Sequence, residues 1–310
     1  MSRRRRSAWR RLLALAIALI LLGGVAIWSN ALGVGDKVRD VAREIELFVD
    51  PPPDRPIADA VLITPRPSEP APTPTPEPTT AASRPPGAPT PAPTPTPTPV
   101  PQRARVDVNL MATPADAKDA FITEVDHEWC AVAGTQMVLA MYGKAPLTQS
   151  FQATLAGRIG EWESRRDSLN GGWGPAAIVA ALEAYGVGGY ELRAYDTRAD
   201  ALLDAAHAIS KYRAPVLLMA WRGAHTWVMT GFRADADPQV FGDAKVLGAY
   251  VLDPWFPRIS SIWGPSDPPG TFQDASEMRR NYLPWKRPEG HYPNRDGLFL
   301  AIVPTQPLSR

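Results

Sequence analysis

The chain contains a single cysteine, Cys130, and its setting suits a nucleophile. A loop-like run, Glu124-Val-Asp-His-Glu-Trp129, leads into an apolar, helix-patterned stretch that Cys130 opens and Tyr142-Gly143 closes. A thiol at a helix N-terminus meets unpaired N–H groups and the positive end of the helix dipole. Both favour thiolate, the form that attacks a carbonyl carbon. Further along stands His225, in Gly223-Ala-His-Thr-Trp-Val-Met-Thr-Gly231, and then Asp253, in Tyr250-Val-Leu-Asp-Pro254. An imidazole can pair with a thiolate and pass its proton to a leaving group, provided an acceptor on its second nitrogen fixes the tautomer. Each residue also has a plainer explanation. A free cysteine is commonly a buried small hydrophobe, a histidine at a strand start can be a polar residue beside a loop, and Asp-Pro opens turns. The His127-x-x-Cys130 pair has no second pair at ligand spacing, so no metal site and no cofactor is expected. His207, in a helical pattern, and His291, in a Pro/Gly loop, carry no assigned role. Trp173, Trp221, Trp227 and Trp255 read as core packing, with the lining of a cleft as the other option.

The elements that must position these groups follow the same order. The Cys130 helix is succeeded by a polar helical segment from Leu147 to Ser168 and by a turn at Asn170-Gly-Gly-Trp-Gly174. A helix opened by Pro175 runs to Tyr185, where Gly186 stops it. A short strand is predicted at Glu191–Tyr195. Thr197 then caps a helix carrying Leu202, Leu203, Ala206 and Ile209 on one face. Apolar strands follow at Ala214–Trp221, His225–Phe232, Leu247–Leu252 and Leu298–Val303. Helices first and strands later, without a βαβ rhythm, indicate an α+β domain over residues 106–310.

Ahead of that domain the composition changes. Residues 1–11 form a basic tail with Arg3 to Arg6, Arg10 and Arg11, and Leu12 to Trp28 carries no charge. At ~1.5 Å per residue the apolar run spans roughly 26 Å, close to the ~30 Å of a bilayer core. Residues 12–28 are therefore expected to be a transmembrane anchor with the N-terminus cytoplasmic and the rest outside. Cleavage as a signal peptide near Ala31 is the alternative, and it also exports the chain. Residues 29–50 include an amphipathic pattern, Val38, Val41, Ala42, Ile45 and Phe48, expected as a juxtamembrane helix. Residues 51–105 are rich in Pro, Thr and Ala, a composition that buries no core and favours extended polyproline II, reaching ~170 Å at ~3.1 Å per residue. This reads as a stalk, through a cell-wall layer if one is present, with few contacts to the domain. Setting the N-terminal arginines aside turns the formal net charge from +1 to about −5, which argues against a nucleic-acid partner.

The segments Trp129-Cys-Ala-Val-Ala-Gly-Thr-Gln-Met-Val-Leu-Ala-Met-Tyr-Gly143, Gly171-Gly172, Ala184-Tyr-Gly-Val187, Ala214-Pro-Val-Leu217, Gly223-Ala-His225, Thr230-Gly-Phe232 and Leu252-Asp-Pro254, in this order, resemble C39-like cysteine peptidases of papain-like fold. The resemblance covers residues 121–256. It implies a nucleophile helix packed on an antiparallel sheet, with Cys130 as nucleophile, His225 as its acid–base partner and Asp253 orienting the imidazole. It also implies a peptide or protein substrate hydrolysed through a thioester. The pattern departs from that family at Glu124, where a Gln normally donates to the oxyanion, and at Ala131, where many relatives carry Gly. A carboxylate donates nothing unless protonated. Glu124 and the Trp129 indole are therefore the oxyanion-hole candidates. The alternatives are a catalytically weak or inactive pseudopeptidase that binds peptides or wall polymers, and a cell-wall peptide amidase using the same dyad.

Overall fold

A computed structural model describes residues 60–64, 101–162, 172–287, 292 and 294–307, together with positions 38, 41, 45 and 49. The expected anchor at 12–28, the basic tail, most of the juxtamembrane helix and stalk, and His291 lie outside the described residues. Among those described, no helix is long and apolar enough to cross a membrane.

The elements run β1 (Val61–Leu62), β2 (Val106–Asn109), α1 (Pro114–Asp119), α2 (Cys130–Met141), α3 (Gln149–Ala156), α4 (Ile159–Trp162), α5 (Pro175–Ala184), β3 (Tyr190–Tyr195), α6 (Arg198–Tyr212), β4 (Val216–Ala220), β5 (His225–Ala234), β6 (Val246–Leu252), β7 (Ile259–Ser260), β8 (Gly264–Pro265), β9 (Thr271–Asp274), α7 (Ala275–Asn281) and β10 (Phe299–Pro304). The fold is α+β, as the order of patterns indicates. The main sheet runs β1-β3-β10-β4-β5-β6-β9, with β2 also on β5. Among the described residues, β1 pairs in parallel and the other strands antiparallel.

Both faces of the sheet are covered, which explains why β4 and β5 read as unbroken apolar runs. Along β4, Leu217 and Met219 join the core under α2, α3 and α5. Val216, Leu218 and Ala220 join the core under α6 and α7. The α2 helix is buried nearly all round, as expected for a helix without a polar face. Gly134 lets it approach β5 closely: a Cβ there would lie 3.2 Å from Thr226 Cγ2. The helix is drawn onto the strand that His225 heads.

Three features differ from the sequence reading. Residues 147–162 hold two short helices, α3 and α4, in place of the start of one continuous helical segment; residues 163–168 lie outside the described residues. The domain does not begin at Val106: β1, from within the expected stalk, pairs with the edge of β3, and Ile63 donates its N–H to the Ala194 carbonyl at 2.9 Å. Ile63 packs on one core and Ala60 on the other, so part of the 51–105 segment belongs to the fold. The stretch between Asp253 and the strand expected at Leu298–Val303, which carries no legible pattern, forms the β7–β8 hairpin, β9 and α7.

Candidate active site

Cys130 is the first residue of α2. Its N-cap, Trp129, provides no side-chain hydrogen bond to the helix end, so the N–H groups of the first turn have no side-chain acceptor there. Cys130 is half-buried, with its sulfur 4.0 Å from the Ala224 carbonyl oxygen. His225, the first residue of β5, is almost fully buried. Its Nε2 lies 2.6 Å from Asp253 Oδ1. That leaves Nδ1 for Cys130. The sulfur, a His225 ring nitrogen and a Glu124 carboxylate oxygen all lie within 4.8 Å of one another. The three residues singled out by type and spacing thus meet in one place, and Glu124 joins them.

The ring electrostatics follow from this geometry. Burial alone would push the imidazolium toward its neutral form. The Asp253 carboxylate, through charge and hydrogen bond, outweighs it together with the Cys130 contact and holds His225 well above its ordinary value. Asp253 is itself fixed, because Oδ1 also accepts from the Trp255 N–H at 2.9 Å.

Glu124 has no exposed surface. Its loop is tied to the segment that follows Asp253. The Glu124 N–H donates to the Pro254 carbonyl at 3.0 Å and the Thr123 hydroxyl to the same oxygen at 3.1 Å. Gln152, buried on α3, accepts from the Val125 N–H at 2.7 Å and donates to the Thr123 carbonyl at 3.2 Å. Arg258 donates to Glu124 Oε1 at 3.2 Å and to the Glu124 carbonyl at 2.9 Å. Glu124 Oε2 is buried and has no hydrogen-bond partner among the described residues. The Arg258 contact by itself would favour a charged carboxylate. Desolvation is the larger effect and, despite the pull of His225 and Arg258, lifts the carboxyl from 4.5 to about 8. Near neutral pH the side chain is therefore a carboxylic acid, able to donate one hydrogen bond as a glutamine would.

Trp129 packs half-buried against the core beneath α2. Glu124, Cys130 and His225 are also donor types that bind transition metals, but here Arg258 supplies the countercharge to the carboxylate. His127 is not part of the cluster and packs its ring 5.4 Å from Trp255.

Sequence reasoning assigned no role to Arg258, Gln152, Asn281 or the tryptophan geometry. Trp221 stacks on His225, with ring centroids 4.0 Å apart and an 18° interplanar angle. Trp255 presents its edge to the same ring at 6.4 Å. The position of Trp255, two residues after Asp253, was a usable signal; nothing in sequence links Trp221 or Arg258 to the dyad.

No protein-family model matches the chain, and no curated protein matches it. Among solved structures, a double glycine motif protease from an AMS/PCAT transporter, crystallised with its leader peptide, is similar. It is 20% identical, covering 60% of this chain and 91% of that one, with a TM-score of 0.30. At that score the likeness carries no argument about this site.

Proposed function

We propose that this chain is a cysteine peptidase of papain-like type that cleaves a peptide bond through a thioester on Cys130. The observation that carries this reading is the meeting of Cys130, His225 and Asp253. They come from a helix start, a strand start and a strand end, and His225 bridges the other two. In the reactive form Cys130 is thiolate and His225 imidazolium. The sulfur attacks the substrate carbonyl carbon, and the carbonyl π pair moves to oxygen. The Cys130 backbone N–H and protonated Glu124 are the donors we assign to that oxyanion. Collapse of the intermediate breaks the C–N bond as His225 passes its proton to the leaving amine. Water, deprotonated by the neutral imidazole, then cleaves the thioester and returns the acid fragment, and the thiolate–imidazolium pair is restored. Asp253 keeps the imidazole oriented throughout. Membrane anchoring through residues 12–28 and export of the domain are part of the same proposal and rest on the sequence alone.

A peptide-binding protein without turnover is the second reading, favoured by the carboxyl at position 124. A peptide library and purified peptidoglycan, each incubated with the protein, separate the readings. A peptidase releases new amino termini and can be trapped as an acyl adduct on Cys130, and Cys130→Ala abolishes both. Digestion of peptidoglycan alone would point to the wall amidase. Saturable binding without product or adduct would overturn the enzymatic reading.

A further inference from the structure

The backbone between β4 and β5 adopts a conformation that side chains ordinarily avoid. Trp221, Arg222 and Gly223 have φ of 50°, 62° and 82°. For the two non-glycine residues this conformation is strained. Strain of this kind persists only where the surroundings over-determine it, and they do here. The Lys286 N–H donates to the Arg222 carbonyl at 3.1 Å. Trp285 covers Gly223 so closely that a Cβ would lie 2.3 Å from its ring. The left-handed run swings the Trp221 ring off the end of β4 and lays it flat on His225. Trp263 also stacks parallel to it, with ring centroids 5.8 Å apart. The Trp221 indole N–H donates to Asn281 Oδ1 at 3.1 Å. Asn281, the last residue of α7, is itself buried and held through Nδ2 to the Glu277 carbonyl at 3.2 Å.

We infer that Trp221, anchored by Asn281, is a positioning residue for His225, fixing the imidazole plane between Cys130 and Asp253. The inference rests on the peptidase reading for its kinetic consequence, but not for its structural one. A flat indole does two things for this ring. It blocks rotation about χ2, which a hydrogen bond on one nitrogen alone resists weakly. It also presents a π face to a buried imidazolium, an attraction that strengthens on desolvation. The charged groups around His225 are Asp253 after β6, Cys130 at the head of α2, and Glu124 in the loop before it, with Arg258 and Glu128 acting on Glu124. All of these remain when the indole is removed, so a change in His225 on altering Trp221 or Asn281 reports the stack.

The test uses three variants. Trp221→Leu removes the aromatic face, Trp221→Phe keeps a face without the anchor, and Asn281→Leu keeps the indole but frees it. Histidine-selective NMR reads the His225 titration and the proton shared with Asp253; peptide cleavage is measured in parallel. We expect Trp221→Leu to lower the pH at which His225 loses its proton by about one unit, a tenfold change in the ratio of the two forms. It should also broaden the shared-proton resonance and lower kcat at least ~10-fold with little change in KM. Trp221→Phe should recover most of the titration shift, and Asn281→Leu should fall between. A His225 titration and shared-proton resonance unchanged in a folded Trp221→Leu or Asn281→Leu protein would overturn the inference while leaving the peptidase reading intact. No cleavage by any form, with the NMR changes as expected, would remove the peptidase reading and keep the positioning role.

Discussion

Glu124→Gln separates the charge of this side chain from its shape. In the native protein burial lifts the carboxyl to about 8. Below that pH, Oε2, which has no partner, carries a proton and can donate; above it, Glu124 is an anion facing a developing oxyanion. Each pH unit above 8 leaves about tenfold fewer protonated molecules. The native rate should therefore fall about tenfold per unit until it reaches the ~10²–10³ cost of a lost oxyanion donor. A glutamine donates at every pH. The two proteins should have kcat/KM within about threefold of one another near pH 6.5, and differ by about tenfold or more near pH 9, with the glutamine form faster. Stability carries the same signature. The folded state holds a proton that the unfolded chain releases above 4.5, so native stability falls as pH rises from 4.5 to 8. The slope is up to ~1.4 kcal/mol per pH unit and ~5 kcal/mol in all, and the glutamine form lacks it. Initial rates on a fluorogenic peptide and urea melts between about pH 5 and pH 9 read both quantities. Parallel rate and stability profiles would mean that Glu124 is ionised throughout and paired with Arg258, and the oxyanion reasoning would fail. Lower activity of the variant at every pH would mean that the carboxyl does something a carboxamide cannot.

Arg258→Leu removes a charge that pulls the Glu124 carboxyl down, so the break in the native rate profile should move above pH 8; a break unmoved or lowered would contradict the assignment. Gln152→Leu leaves the Val125 N–H and Thr123 carbonyl, which it now pairs, without that partner. A destabilisation of ~2–4 kcal/mol in chemical melts is expected, with kcat falling because the Glu124 loop is freed. Ile63→Asp, or removal of residues 60–64, strips the β3 edge and should lower Tm by several degrees, since ~1–2 kcal/mol corresponds to ~2–8 °C in a domain of this size. An unchanged melting temperature would show β1 to be energetically idle.

The legible parts of this protein were those encoded locally. The switch from a polar loop to an apolar run marks the start of α2 and places Cys130 on it. Thr197 accepts from the Asp200 N–H and caps α6 as its type suggests. Gly223 ahead of His225 marks the turn into β5. The illegible parts depend on partners far apart in the chain. Arg258 reaches across more than a hundred residues to Glu124, and its sequence context offers only Trp/Pro-rich neighbours. No residue type announces that a tryptophan will adopt φ of +50°, because the cause is Trp285 and Asn281 pressing on that turn from the C-terminal segment. Val61-Leu62-Ile63 was hidden by the proline-rich composition around it. Three apolar residues carry no periodicity, yet they suffice to cap a sheet edge.

The charge count of the buried site explains how a glutamate can occupy position 124 at all. In the reactive form the thiolate and the Asp253 carboxylate are negative, and the His225 imidazolium and the Arg258 guanidinium are positive. These four charges cancel. A protonated Glu124 leaves the balance intact, whereas an ionised one adds an anion with no exposed surface and one oxygen without a partner, a costly arrangement in a low-dielectric interior. The balance is the same when thiol and imidazole are neutral, since Asp253 and Arg258 then cancel; a protonated Glu124 therefore suits both states of the dyad, although the imidazolium itself pulls that carboxyl down. Arg258 holds Oε1 and directs the proton to Oε2, the oxygen left free. In the proposed mechanism, burial supplies a donor at position 124 below about pH 8 and withdraws it above.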